Sequence, residues 1–223
     1  MGPCLADGPN LATILGMNVE PTVDPPLLVI GTHNAKKGVE LVELLAPHGV
    51  AVQTLAAFPE AVEVDETGAT FAENARLKAT EQAKALRCWV LADDSGLEVD
   101  ALDGAPGVYS ARFAGPACDD QANNRLLLEK LRATPAQRRG AQFVCSVALA
   151  DPAGTVRAEA SGLCRGRVLE ALHGENGFGY DPLFLVREYH LTFGQLGREV
   201  KRTLSHRARA LRAILPSVLS LVR

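Results

Sequence analysis

Residues 89–97 read Trp-Val-Leu-Ala-Asp-Asp-Ser-Gly-Leu. The apolar run Trp89–Ala92 has the length and composition of a buried strand, and it leads directly into Asp93-Asp94-Ser95-Gly96. Two adjacent carboxylates at the end of a buried strand repel each other, and each is costly to desolvate. A divalent cation offsets both effects, and magnesium favours carboxylate oxygens combined with substrate phosphates. In open α/β sheets, ligands bind at such strand ends. The competing reading is an Asp-Ser-Gly turn with solvated carboxylates, and the stretch alone does not choose between them.

Upstream, Leu27–Gly31 is a second apolar strand, followed by helical spacing from Asn34 to Pro47 and a stop at His48-Gly49. The turn between them, Gly31-Thr32-His33-Asn34-Ala35-Lys36-Lys37, brings a helix N-terminus, neutral donors and a lysine together. Free N–H groups and the positive end of the helix dipole make this a phosphate cradle, although it lacks the G-x-x-x-x-G-K-[ST] pattern. Read structurally, Asn34 is simply an N-cap and the lysines a solvated face. Val50–Leu55 reads as a further strand, and Pro59–Gly68 (PEAVEVDETG) as an acidic loop. If that loop folds over the Asp93-Asp94 edge, Glu63, Asp65 or Glu66 completes a metal site. Thr70-x-x-Glu73 is a capping box opening a helix over Phe71–Arg87.

Downstream, Gly104–Cys118 is a Gly/Pro-rich loop too long for a simple connector, which marks it as functional. Ala122–Leu131 is helical, and Gln142–Ala150 and Thr155–Cys164 form a hairpin around Asp151-Pro152-Ala153-Gly154. His173–Pro182 is a second glycine-rich loop, in which glycines beside Phe178 and Tyr180 let backbone and ring approach a flat ligand. A strand at Leu183–Val186 follows. Leu211, Ile214, Leu215, Val218 and Val222 mark a C-terminal helix that Pro216 kinks or restarts. Strands and helices mix without strict alternation, which predicts an α/β protein with a mixed sheet.

Composition narrows the class. A net charge of -3 argues against a general polyanion binder, yet residues 187–223 hold eight Lys/Arg against two Asp/Glu and could serve a local anionic site. The five cysteines are odd in number and lack a C-x-x-C pair, so they make neither a disulfide framework nor a zinc site. No apolar run reaches the length of a membrane span, and residues 1–25 contain no Lys or Arg for a signal peptide. Met1–Pro26 is rich in Gly, Pro, Asp and Asn and reads as a disordered tail or a mis-called start, with Met17 the alternative. The domain proper is 27–223.

Six blocks now stand in order: Thr32-His33-Asn34-x-x-Lys37; Thr70-Phe71-x-Glu73-Asn74-Ala75-x-x-Lys78-Ala79; Asp93-Asp94-Ser95-Gly96-Leu97; Gly104-Ala105-Pro106-Gly107-Val108-Tyr109-Ser110-Ala111-Arg112; Gly177-Phe178-Gly179-Tyr180-Asp181-Pro182; and Ser205-His206-Arg207. Together they resemble the inosine triphosphate pyrophosphatase family, whose members clear non-canonical purine nucleoside triphosphates. The resemblance runs from about Leu27 to the end of the chain. It implies a two-lobed α/β fold around a long mixed sheet, a substrate cleft between the lobes, a cytoplasmic homodimer, and Mg²⁺-dependent hydrolysis of ITP, dITP or XTP to monophosphate and pyrophosphate. No nucleic-acid polymer and no membrane are implied as partners.

By the same resemblance, Asp94 is the general base and a metal ligand, and Asp65 is a second metal carboxylate. Thr32, His33, Asn34, Ala35, Lys36 and Lys37 hold phosphate, and Ser95 touches substrate. Phe178, Gly179, Tyr180 and Asp181 form the base-binding loop, with Lys201, His206 and Arg207 around the purine. Donors at Arg207 would pair with the 6-oxo group of hypoxanthine and leave adenine mispaired. The family's phosphate turn carries glycine where this chain has His33, so His33 must either take an ordinary backbone conformation with its ring outward or join the site. Alternatives are a related pyrophosphatase for pyrimidine or modified nucleotides, an inactive nucleotide-binding module, and an aspartyl-phosphate phosphatase. The last lacks its Asp-x-Asp spacing here.

Overall fold

The computed structural model describes residues 27–222. The extension 1–26, with Met17 and Cys4, lies outside the described residues. β1 (Leu28–Ile30) is buried at every position and pairs in parallel on both sides, with β2 (Val52–Thr54) and with β3 (Trp89–Val99). Burial on both faces explains its uninterrupted apolar run. Antiparallel neighbours β4 (Gly140–Ala150), β5 (Val156–Val168), β6 (Phe184–Val186) and β7 (Leu191–Thr192) complete a seven-stranded mixed sheet in the order β2-β1-β3-β4-β5-β6-β7. The α/β fold with a long mixed sheet flanked by helices is the one expected.

Between β1 and β2 runs α1 (Ala35–Leu45), and between β2 and β3 runs α2 (Phe71–Leu86). α2 opens with the full capping box: Thr70 accepts from the Glu73 amide while Glu73 accepts from the Thr70 amide. It closes on Arg87 in the left-handed region. α3 (Asp120–Lys130) precedes β4, and α4 (Arg198–Leu204) and α5 (His206–Leu221) end the domain. Among the described residues no helix is long and apolar enough to cross a membrane.

Two core clusters pack on opposite faces of one end of the sheet. Leu41, Leu45, Leu211 and Ile214 from α1 and α5 pack with Leu28, Leu91 and Cys145 on one face. Ala75, Ala79 and Ala83 of α2 lie on Val90, Ala92 and Ala148 on the other. A third cluster, around Leu97, Leu127, Phe143, Phe184 and Phe193, fills the far end of the long strands.

Two local expectations are corrected. The strand does not end at Ala92: it continues to Val99, because β4 pairs with it from Val90 to Val99 after β1 has stopped. Nor does Pro216 restart the C-terminal helix, which is continuous from His206 to Leu221. Buried Ile214 and Val218 on either side of the proline hold the helix against the sheet, and that packing outweighs the one lost N–H bond.

α5 sits directly on β5 at Gly162. A Cβ there would lie 2.3 Å from both the His206 carbonyl and the Ala210 amide. Backbone on both sides cannot yield as a flexible side chain can. Gly162→Ala is therefore expected to destabilise the protein by about 1–3 kcal/mol, measured by urea unfolding against wild type.

Candidate active site

The site forms where β1 stops and β3 continues. The last parallel bond is from the Gly31 amide to the Leu91 carbonyl, at 2.9 Å. Beyond it the edge of β3 at Asp93–Ser95 faces the turn Thr32–Lys37. Asn34 caps α1 with its side chain accepting from the Lys37 amide at 3.1 Å, and the Thr32 hydroxyl accepts from the Asn34 amide at 3.3 Å. Ala35 opens the helix, and Lys36 is exposed at its first turn. His33 is absent from the positive-φ residues and is exposed, so it takes the ordinary backbone conformation. Its ring does not merely point to solvent, since Nε2 lies 3.0 Å from the Val62 carbonyl of the acidic loop.

Strand geometry separates the two carboxylates, because successive side chains point to opposite faces of the sheet. Asp93 is fully buried on the α5 side. One of its oxygens takes two bonds from Arg207 at 3.2 Å and lies 3.8 Å from Lys37 Nζ, while the other has no hydrogen-bond partner among the described residues. Burial alone would raise its pKa, but Lys37 and Arg207 outweigh that and hold the carboxyl well below the usual range. Asp94 lies on the α2 side, 5% exposed. It accepts from Lys78 Nζ at 2.9 Å and from Asn74 Nδ2 at 3.3 Å. Burial raises its pKa, with Lys78 acting against that shift. The expectation of two mutually repelling carboxylates sharing one cation is thus corrected: each has its own counter-charges on its own face.

The acidic loop does fold against the Asp94 side, through Glu66, whose carboxylate lies 3.4 Å from Lys78 Nζ. Asp65 is exposed and its side chain has no hydrogen-bond partner among the described residues. No group of three or more His, Cys, Asp or Glu able to cage a metal occurs among the described residues. Asp94 and Glu66 instead already flank one cationic group, the Lys78 ammonium. A carboxylate pair of this kind suits Mg²⁺, which keeps waters and substrate phosphates in its shell and needs only one or two protein carboxylates.

On the α5 face, a cavity of about 90 Å³ is lined by Lys37, Ser95, Phe178, Asp181, His206 and Arg207 among others. A larger cavity of about 300 Å³ adjoins it, sharing Phe178 and Lys201. Lys201 sits 4.5 Å from the Phe178 ring centroid and pairs with Asp181 at 2.6 Å and Glu40 at 2.8 Å. Asp181 also accepts from the Phe178 amide at 2.8 Å, which fixes the glycine-rich loop. Gly179 is anchored from α3: its amide donates to Asp120 at 3.0 Å, and its carbonyl accepts from Asn124 at 2.9 Å. The Tyr180 hydroxyl reaches the Ser110 carbonyl at 2.9 Å, tying this loop to the Gly/Pro-rich loop expected to be functional.

His206 stacks on Phe143, and its buried Nδ1 has no hydrogen-bond partner among the described residues; burial and the neighbouring Arg207 and Lys201 keep it neutral. Arg207 is itself fully buried, and Asp93, Glu40 and Ser95 already take four of its hydrogen bonds. With five N–H donors in all, it has one left for a ligand. Of the predicted residues, Asn34, Lys37, Ser95, Phe178–Asp181, Lys201, His206 and Arg207 line one cavity and Asp94 lies on the other face of β3, whereas Lys36 sits on the rim, His33 reaches the acidic loop and Asp65 meets neither face. Sequence reasoning gave no role to Glu40, Asn74, Lys78, Gln82 or Asp120. The four-residue spacing of Asn74, Lys78 and Gln82 puts them on one stripe of the helix, but it does not show that the stripe is covered.

The Ham1 family profile matches residues 28–217. A dITP/XTP pyrophosphatase of Rhodopirellula baltica is 57% identical over 196 residues, covering 88% of this chain and 94% of that protein. One from an Exiguobacterium species is 53% identical over 88% of this chain and 98% of its own length. Among solved structures, the Staphylococcus aureus Ham1 protein superposes with a TM-score of 0.77 at 40% identity, covering 87% of this chain and 98% of that one. A HAM1 protein from Coxiella burnetii gives 0.78 at 36% identity, with the same coverage. The chain belongs to the Ham1 family.

Asp93 supplies a stability prediction. Neutralising it leaves Lys37 without its counter-charge and Arg207 with Glu40 alone, so Asp93→Asn is expected to cost about 3–5 kcal/mol at neutral pH. Its folded-state pKa is depressed, so the contribution is complete above the unfolded-state value and is lost as pH falls. Wild-type stability should decline below about pH 5, and that decline should be shallower in Asp93→Asn, both read from urea unfolding across pH.

Proposed function

We propose that this protein hydrolyses non-canonical purine nucleoside triphosphates (ITP, dITP and XTP) to the monophosphate and pyrophosphate, working as a cytoplasmic homodimer on the free nucleotide pool. The observation that carries the reading is a buried carboxylate of raised pKa, Asp94, at the strand edge beside a phosphate-type helix turn, with an aromatic, basic cavity on the opposite face. The names of the family relatives point the same way.

In this reading the triphosphate lies along the turn Thr32–Lys37. The helix amides and Lys37 hold its anionic oxygens, and the base enters the Phe178 cavity. Asp94 orients a water and accepts its proton as the water oxygen attacks the α-phosphorus. The bond from that phosphorus to the bridging oxygen breaks, and pyrophosphate leaves. Burial suits Asp94 to this role, since a base works best when its pKa approaches the working pH. Asn74 and Lys78 keep the carboxylate oriented. Mg²⁺ held by Asp94 and Glu66 would polarise the phosphoryl oxygens and acidify the water. Asp65, one residue away on the same loop, is the alternative second ligand. Phe178 offers a stacking face, while the remaining Arg207 donor and His206 face the edge of the base. Lys36 and Ser95 complete the substrate contacts, Lys36 from the exposed rim.

The deciding measurement is pyrophosphate release with Mg²⁺ from ITP and XTP against ATP, GTP and UTP. Release from ITP and XTP, abolished by a chelator, is expected. Preference for UTP would reassign the chain to pyrimidine nucleotides, and no release from any triphosphate would leave a binding module. Asp94→Asn should retain the fold and lower kcat by about 10²–10⁴-fold, the usual weight of a general base. Near-wild-type turnover would remove Asp94 from that role.

A further inference from the structure

The acidic loop 59–68 has no regular secondary structure, so side chains must satisfy and hold its backbone. α2 does this with one stripe. At the loop's exit, Asn74 Oδ1 accepts from the Gly68 amide at 2.8 Å, an approach so close that a Cβ on Gly68 would meet that oxygen at 2.6 Å. In the middle, Lys78 bridges Glu66 and Asp94. At the loop's entry, Gln82 grips both sides of Val62: its Oε1 accepts from the Val62 amide at 3.2 Å and its Nε2 donates to the Val62 carbonyl. Gln82 is 1% exposed, rare for a glutamine and expected only where its amide is fully engaged. The same Val62 carbonyl lies 3.0 Å from His33 Nε2, which is itself 3.5 Å from Gln82 Nε2. One peptide of the acidic loop is thus held at once by the phosphate turn and by α2.

We propose that Gln82 and His33 form a clasp on the Val62 peptide that couples the phosphate turn to the acidic loop and thereby positions Glu66 beside Lys78 and Asp94. Both are positioning residues that touch the loop and not the reacting atoms. The proposal rests on the hydrolase reading above and assigns the clasp to the phosphate and metal end of the substrate. The base-binding side chains lie on the opposite face of the sheet, around Phe178 and Arg207, and none of them contacts Val62, Gln82 or His33. Loosening the clasp should therefore alter metal response and turnover while leaving base choice alone. A general loss of folded protein would not separate these two readouts.

The test compares wild type, Gln82→Ala, His33→Ala and the double variant in two experiments. Hydrogen–deuterium exchange on metal-free, nucleotide-free protein reads the loop directly. Backbone amides within 59–69 should exchange about tenfold faster in Gln82→Ala, as expected for the loss of a buried hydrogen bond, and faster by a smaller factor in His33→Ala. Because both act on one peptide, the total acceleration in the double variant should fall short of the product of the two single effects. A Mg²⁺ titration of pyrophosphate release from ITP should show half-activation shifted upward by about tenfold in Gln82→Ala, the low end for loss of an outer-shell partner, with an unchanged ITP-to-ATP ratio. Exposed His33 tolerates truncation, so His33→Ala decides the matter if the Gln82 variant does not fold. Wild-type exchange in the variants would overturn the clasp, and so would a loosened loop with an unaltered Mg²⁺ response. Inactivity of the wild type on every triphosphate would instead overturn the hydrolase reading and the catalytic half of this proposal, while exchange still decides whether the clasp holds the loop.

Discussion

β1 is three residues long and β3 is eleven, and the site depends on that mismatch. Parallel pairing ends at Ile30–Leu91, but β4 keeps β3 extended for eight further residues, from Ala92 to Val99. An edge of backbone and side chains is left open just where the chain after β1 turns into α1. The helix N-terminus closes over it. Because β3 is still a strand at this point, its side chains alternate, and Asp93 and Asp94 are sent to opposite faces. Had the strand ended at Ala92, both carboxylates could have turned to one ligand. The continued pairing instead gives the cleft two chemically distinct sides, one under α2 and one under α5.

Electrostatics then differentiates two residues that are identical in type and adjacent in sequence. Burying either carboxylate is unfavourable unless it is paired. Asp93 meets Arg207 and Lys37 and is held ionised well below its ordinary pKa, a fixed negative charge around which the cationic residues of the base side are arranged. Asp94 meets one ammonium and one amide, and burial prevails, so its pKa rises. Environments that push a carboxylate pair apart in this manner are how one site obtains both a permanent charge and a proton acceptor. On the proposed reading, Asp93 organises and Asp94 reacts. Arg207 belongs with Asp93 in this division. Most of its donors are spent on Asp93, Glu40 and Ser95, and on the proposed reading the one that remains faces the base.

The parts of the fold written in local pattern were legible in the sequence. The capping box at Thr70–Glu73, the apolar runs of β1 and β3 and the hairpin at Asp151–Gly154 each depend on residues close in the chain, and each forms where expected. What stayed hidden depends on partners distant in sequence. The extension of β3 past Asp93 is set by β4, some fifty residues on, and two consecutive aspartates do not look like strand. The continuity of α5 through Pro216 is set by packing on the sheet. The buried pairing of Arg207 could not be distinguished from a solvated basic helix face by charge counting. Lys78 and Asn74 were visible within a motif, but which carboxylate they serve is a matter of which face of β3 they meet.

The acidic loop was the hardest segment to read, and the reason is physical. A strand declares its register through alternation and a helix through its 3.6-residue period, whereas an irregular loop has neither and takes its position from whatever satisfies its peptides. Here those groups are carried by α2, at Asn74, Lys78 and Gln82, in a stripe that helical periodicity alone would assign to solvent. Their burial is explained only once the loop lies over them. The histidine in the phosphate turn fits the same logic. It stands where the resembled turn has glycine, and its ring lengthens the reach of the turn to the peptide that Gln82 already holds. A substitution that looks like a defect in the phosphate cradle is, in three dimensions, a second contact between cradle and loop, and it leaves the backbone conformation of the turn ordinary.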